Sequence, residues 1–175
     1  MTGLEALKIN LLTMKEDSYE ASFVLGDEFF GGLDDAEIRH GRVNATVLIR
    51  KAGGEFAMTL RVEGDVTVQC DLCLDDMEQH VRGEGSFIVK LGLEHGEEDD
   101  VITVAEDEGI LDIAWLLYET IALAVPIKHV HAPGKCNAAM TERLEELSAT
   151  RSGDEAEDGA VDPRWDKLKQ LKDKL

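Results

Sequence analysis

Between residues 42 and 50, apolar and polar positions alternate. Val43, Ala45, Val47 and Ile49 share one parity and Arg42, Asn44, Thr46 and Arg50 the other, with Leu48 the exception. A period of two marks a half-buried strand. Gly53-Gly54 supplies a hairpin turn. The alternation then resumes with Phe56, Met58, Leu60 and Val62 set against Glu55, Thr59, Arg61 and Glu63. The same parity continues through Gly64 to Val66, Val68 and Cys70. The second arm is therefore one long strand, or two collinear strands bent at Gly64, where the missing Cβ permits a bulge or kink. Val81, Phe87, Val89 and Leu91 form a return strand, with Gly83 and Gly85 at the inward positions between them. The turn Cys70-Asp71-Leu72-Cys73 thus joins two antiparallel strands at one end of a sheet, and the phase puts Cys70 on the apolar face.

Elsewhere the pattern is shorter. Residues 6–12 and 19–25 read as strands, the second with Tyr19, Ala21, Phe23 and Leu25 on one parity and a turn at Phe29-Phe30-Gly31-Gly32 behind it. Residues 94–100 form an acidic exposed loop and residues 101–104 a short strand. Asp112 is the expected N-cap of a helix over residues 113–125, apolar almost all round and stopped by Pro126. An apolar periphery predicts burial against the sheet. A second helix is expected over residues 137–148, capped by Asn137, with Met140, Leu144 and Leu147 on one face. Residues 149–161 are small, polar and acidic, as in a flexible linker. Asp162-Pro163 opens a last helix with Trp165, Leu168 and Leu171 as its apolar stripe. The organisation this implies is a single α+β domain over 1–148, a linker over 149–161 and a basic amphipathic helix over 162–175. The expected fold is a mostly antiparallel, barrel-like β-sheet with a buried helix packed on it and helices toward the C-terminus.

Charge changes the picture of partners. The net charge is −19 over 175 residues. Such a surface repels itself and phosphate backbones alike, and favours basic proteins. The first residues carry no basic run followed by an apolar core, and no apolar segment is long enough to span a bilayer. Three cysteines without an export signal point to a reducing, cytoplasmic setting rather than a disulfide framework.

The cysteines carry the candidate chemistry. Two thiolates separated by two residues can aim at one tetrahedral ion, and a second pair must come from elsewhere. Cys136 is the remaining sulfur, and Pro133-Gly134 between it and His131 can fold both onto one side. The expected ligands are Cys70, Cys73, His131 and Cys136, with His129 as the alternative fourth. A closed four-ligand zinc site has no open position for water, so its role is structural. A redox dithiol at Cys70 and Cys73 is the competing reading. Against it, Asp71, Asp75 and Asp76 are expected to raise the thiol pKa values. Glu119 reads as an edge residue that reaches solvent or a hydrogen-bond partner, and His40, His80 and His95 as surface residues. No phosphate loop, nucleophile elbow or zinc-protease motif is present. Residues 163–175 carry five basic and two acidic side chains. Arg164, Trp165, Lys167, Leu168, Lys169 and Leu171 make this either a helix that docks on the chain's own acidic surface or a hook for RNA or a protein groove.

These residues resemble a known family. A long hairpin closing in Gly-x-Val-x-Val-x-Cys-Asp-x-Cys-Leu over residues 64–74 is followed by an acidic loop and an apolar helix ending in Pro126. After that come His131 and Cys136, and the closing Asp162-Pro163-Arg164-Trp165 segment. In order and spacing this is similar to the YceD family, the large ribosomal RNA subunit accumulation proteins of bacteria, with relatives in chloroplasts. The resemblance implies a role in processing or accumulating large-subunit ribosomal RNA, with a basic ribosomal protein, an assembly factor or the RNA itself as partner. It implies no catalytic residue. Its cysteine positions match at Cys70, Cys73 and Cys136 and its histidine at His131. Between the first two cysteines, where that family often has Arg, this chain has Leu72.

Overall fold

The computed structural model describes residues 4–147. The chain divides into two units, Met1–Thr141 and Glu142–Leu175. The first holds the sheet, and the described part of the second continues a helix. The basic C-terminal residues Arg164, Trp165, Lys167, Leu168, Lys169 and Leu171, and the expected linker before them, lie outside the described residues.

The alternating segments become strands β2 (Ser18–Leu25), β3 (Gly41–Ala52), β4 (Glu55–Gln69) and β5 (Asp76–Gly92). They form an antiparallel meander, with β3 and β4 joined at Gly53 and Gly54, whose φ angles of +61° and +98° only glycine adopts without strain. Strand β4 runs unbroken through Gly64. The inward parity is buried as its apolar character demands: Val43, Val47 and Ile49 on β3, and Met58, Leu60, Val62 and Val66 on β4. The opposite face is open to solvent, which is why the same strands carry Arg and Glu on alternate positions.

Two short strands complete the sheet. β6 (Gly96–Glu98) and β7 (Val101–Ala105) place it in the order β2-β3-β4-β5-β7-β6, with β5 and β7 parallel. The sheet is open, so the expectation of a barrel is corrected. Closure needs a strand of matching length at each edge, whereas β6 is three exposed residues, two of them Glu, opposite the eight-residue β2. A separate two-stranded ribbon pairs β1 (Lys8–Asn10) with β8 (Ile110–Asp112). The strand expected over residues 6–12 is thus cut to three residues between two 3-10 turns. The turn expected at residues 29–32 is instead the end of a short helix, α1 (Asp27–Gly31), which buries Phe29 and Phe30 edge-to-face with ring centroids 5.1 Å apart.

Helix α2 (Ala114–Ala124) lies across β4 and β5 and buries Leu116, Leu117, Tyr118 and Ile121. Gly83 and Gly85 let it approach. A Cβ on Gly83 would lie 3.0 Å from the Ala124 side chain and the Thr120 carbonyl. The Tyr118 hydroxyl accepts the N–H groups of Glu37 and Ile38 at 2.7 and 3.2 Å, which ties the β2–β3 connection to the helix. Burial is one-sided, however. Trp115 and Leu123 are 42% and 87% exposed, so this largely apolar helix has a solvent face. Glu119 sits between them and accepts the Trp115 indole N–H at 2.8 Å, as an edge residue should. The cap position falls to Ile113, which makes no side-chain cap bond, while the expected cap Asp112 stands one residue earlier and accepts the Ala114 N–H at 2.9 Å. Asp112→Ala is therefore expected to cost about 1 kcal/mol of stability, read by urea unfolding. Helix α3 (Ala138–Leu147) is capped by Asn137, whose side-chain oxygen accepts the N–H groups of Ala139 and Met140.

Candidate metal centre

The cysteine turn sits where β4 and β5 part. Gln69 and Asp76 form the last pair of their ladder, and the residues between them make a tight knuckle. Leu74 N–H bonds back to the Cys70 carbonyl at 2.9 Å, and the Cys70 N–H goes to the Asp75 carbonyl at 2.9 Å. Closing this tightly puts Leu74 at φ +62°, a left-handed conformation that a leucine adopts only under constraint. Cys70 and Cys73 are 0% and 2% exposed.

The segment after α2 meets this knuckle. Cys70, Cys73, His131 and Cys136 each offer one ligand atom, and these atoms lie within 4.8 Å of one another. Cys70 Sγ is 3.9 Å from Cys136 Sγ; His131 Nδ1 is 3.3 Å from Cys73 Sγ and 4.0 Å from Cys136 Sγ. A zinc tetrahedron with bonds of about 2.3 Å to sulfur has edges of about 3.8 Å. The cluster therefore has the composition and spacing of a closed tetrahedral site. His129, the alternative ligand, points elsewhere. Its Nδ1 faces the Pro126 carbonyl at 2.9 Å and its Nε2 faces Asp71 at 3.7 Å.

Direct hydrogen bonds tie the same two segments together. Asp71 accepts the His129 N–H at 2.7 Å, its own N–H goes to the His129 carbonyl at 3.0 Å, and Asn137 donates to Asp75 at 3.2 Å. Sequence reading missed these partners of the knuckle, because it treated the acids as free charges beside the thiols. Their only sequence signal is position: each stands next to a cysteine or one residue from it.

The thiol pKa values correct that picture. Burial works to raise Cys70, but the backbone N–H groups of Cys73, His131 and Leu72 point at its sulfur and bring it down from 9.0 to about 6. Cys136 goes the other way. Burial and the neighbouring sulfurs of Cys70 and Cys73 push it up from 9.0 to about 11. Crowded sulfurs resist sharing negative charge, and a cation among them removes that resistance. This predicts how metal uptake follows pH. Ligands bind as thiolates. Cys136 gives up a proton on binding at any pH below about 11, whereas Cys70 does so only below about 6. Protons released per zinc should therefore drop by about one as pH rises through that lower value, and affinity should weaken on acidification. Titration calorimetry in buffers of differing ionisation enthalpy measures both.

The other titratable side chains singled out in the sequence form no second site. His40, His80 and His95 are exposed, paired with Asp27, Asp65 and Glu108 at 3.5, 2.9 and 3.4 Å. No described helix is long and apolar enough to cross a membrane.

No curated protein and no solved structure matches the chain. A family model does, over residues 58–172, a span that opens within β4 and contains the knuckle, α2 and the segment with His131 and Cys136. That model describes the large ribosomal RNA subunit accumulation protein YceD, and the chain belongs to this family.

Proposed function

We propose that this protein is a non-enzymatic, cytoplasmic factor in assembly of the large ribosomal subunit. It supports accumulation or processing of large-subunit ribosomal RNA through a basic protein partner, and a structural zinc ion clips its sheet to the end of α2. The family match carries the reading, because the matched span includes the helix, the knuckle and all four clustered ligands. The zinc assignment rests on three sulfurs and one imidazole, a donor set that suits Zn²⁺ and leaves no position for a reacting water. The partner assignment rests on the net charge of −19. It also rests on the knuckle tip, where Leu72 and Leu74 stand exposed and residues 70–76 include no lysine or arginine.

Co-purification from cells tests the role. Association with a basic protein of the large subunit that survives RNase is the expected result. Association that RNase abolishes would transfer the contact to RNA, with Arg164, Lys167 and Lys169 as its natural phosphate ligands and Trp165, Leu168 and Leu171 as its apolar anchor. Absence of any ribosomal component would overturn the reading. A thiol redox protein using Cys70 and Cys73 is a second reading, favoured by the low pKa of Cys70. Its test is alkylation by iodoacetamide near neutral pH. Fast labelling of Cys70 would support redox chemistry. The complete burial of that sulfur's residue predicts slow labelling instead.

A further inference from the structure

Strand β5 is long and only partly partnered. On one side it pairs with β4 from Asp76 to Val89; on the other, β7 begins only at Ile88. Near that junction the Ile88 N–H reaches the Asp100 carbonyl at 2.8 Å, and the Gly92 carbonyl takes the Glu106 N–H at 2.9 Å. Even-numbered residues of β5 therefore turn their backbone groups toward the β7 side. Upstream of Ile88 no described strand continues the ladder there. The His80 carbonyl is taken by the Gln79 side chain at 2.8 Å. The N–H and C=O groups of Arg82, Glu84 and Ser86 have no partner among the described residues. Three successive unpaired positions form an open strand edge, which natural sheets normally cover or blunt.

The edge opens onto a groove of about 710 Å³. Its floor is the glycine-marked stretch of β5, one wall is the outer side of α2, and the head is the β6–β7 turn. Leu123 projects at the rim, 87% exposed. Glu97, Asp99, Asp100 and Glu119 line the walls, and Arg82 is the only lining cation among the described residues. Glu84 is already held by Arg61 at 2.7 Å.

We propose that this edge is a β-augmentation site that takes an extended, basic segment of a partner protein as an added strand in line with β7. Backbone hydrogen bonds to Arg82, Glu84 and Ser86 would supply affinity. Lysine or arginine against Glu97, Asp99 and Asp100, with an apolar residue against Leu123, would supply selectivity. A second copy of this chain is the wrong occupant, because the same acidic rim would face itself. The choice of a basic protein rests on the function proposed above.

The test uses the purified full-length chain, isotope-labelled, and an alternating lysine–valine peptide of about eight residues, which spans the open edge with overhang. The controls are a lysine–valine peptide N-methylated at every residue, which keeps the charge and has no backbone N–H to donate, and a glutamate–valine peptide. The lysine–valine peptide should shift the amides of Arg82, Glu84 and Ser86 and slow their hydrogen exchange. Each control should bind about tenfold more weakly or worse. Ser86→Pro removes one outward N–H at an edge position that tolerates proline, and should weaken binding about tenfold. Should that variant fail to fold, the pair Glu97→Lys with Asp100→Lys reads the same site through charge alone. Equal binding of the N-methylated peptide, unmoved edge amides, or dimer formation through this edge would each overturn the proposal. A blank titration together with intact ribosomal co-purification removes the edge site and leaves the functional reading standing. Edge binding without ribosomal association does the reverse.

Discussion

Stripping the metal with a chelator will lower the stability of the purified protein by about 4 kcal/mol if zinc is present at roughly a thousand times its dissociation constant. Elemental analysis before stripping should give about one zinc per chain, from one four-ligand site. The arithmetic is that of a ligand which binds only the folded state. The physical source is the assembly of donors. Cys70 and Cys73 come from one turn, His131 and Cys136 from a segment beyond α2, and only folding brings them within 4.8 Å. Cys136→Ser should reproduce the loss of zinc and most of the loss of stability, because it breaks the tetrahedron at its most reluctant thiolate. His129→Ala should leave zinc content at one per chain, since that ring faces Pro126 and Asp71. A protein that purifies without metal, and whose unfolding is indifferent to chelators and added zinc, would sink the assignment.

Gly64→Ala will cost about 3 kcal/mol or more and lower the melting temperature by about 10 °C. Gly64 faces Val43 across the β3–β4 ladder. A Cβ at Gly64 would press on the Arg42 carbonyl and lie 2.6 Å from the Val43 Cα, both main-chain atoms of β3. Neither can swing aside as a side chain would, so the two paired strands must part at this point. Gly31→Ala is the matched control: a Cβ there meets nothing within 4 Å, and its effect should stay within about 0.5 kcal/mol. Urea unfolding of the two variants side by side separates collision from the general effect of replacing glycine.

The central strands were legible because one of their faces is wet. Val43 to Ile49 and Phe56 to Val62 must alternate when the other parity meets water, so residue type reports orientation directly. Where the structure departs from expectation, the deciding contacts are long-range. Three residues at Lys8–Asn10 become a strand only because Ile110–Asp112 lies beside them. Phe29-Phe30-Gly31-Gly32 looks like a turn until both rings find the core. Openness of the sheet depends on what does not meet at β2 and β6, which no local pattern records. Helix α2 is apolar almost all round, so its sequence predicts burial against the sheet but periodicity cannot say which side the sheet takes and which, with Trp115 and Leu123, meets solvent. At the metal cluster, chemistry narrowed the ligands to four positions and one rival. Two histidines two residues apart differ only in where the chain turns, and the Asp71–His129 hydrogen bonds make that choice. The low pKa of Cys70 was invisible for a similar reason: its donors are backbone N–H groups, which every sequence carries.

The distance along the chain between the two halves of the cluster has a kinetic consequence. Cys73 and His131 are 58 residues apart, and Cys70 and Cys136 are 66 apart. The meander of β3, β4 and β5 closes through short turns, whereas the cluster closes only after everything between its halves has been laid down. Zinc coordination should therefore be the last tertiary event of refolding. A competing zinc-sensitive dye in a stopped-flow experiment would act as a clock for it, lagging the intrinsic fluorescence change that reports burial around α2.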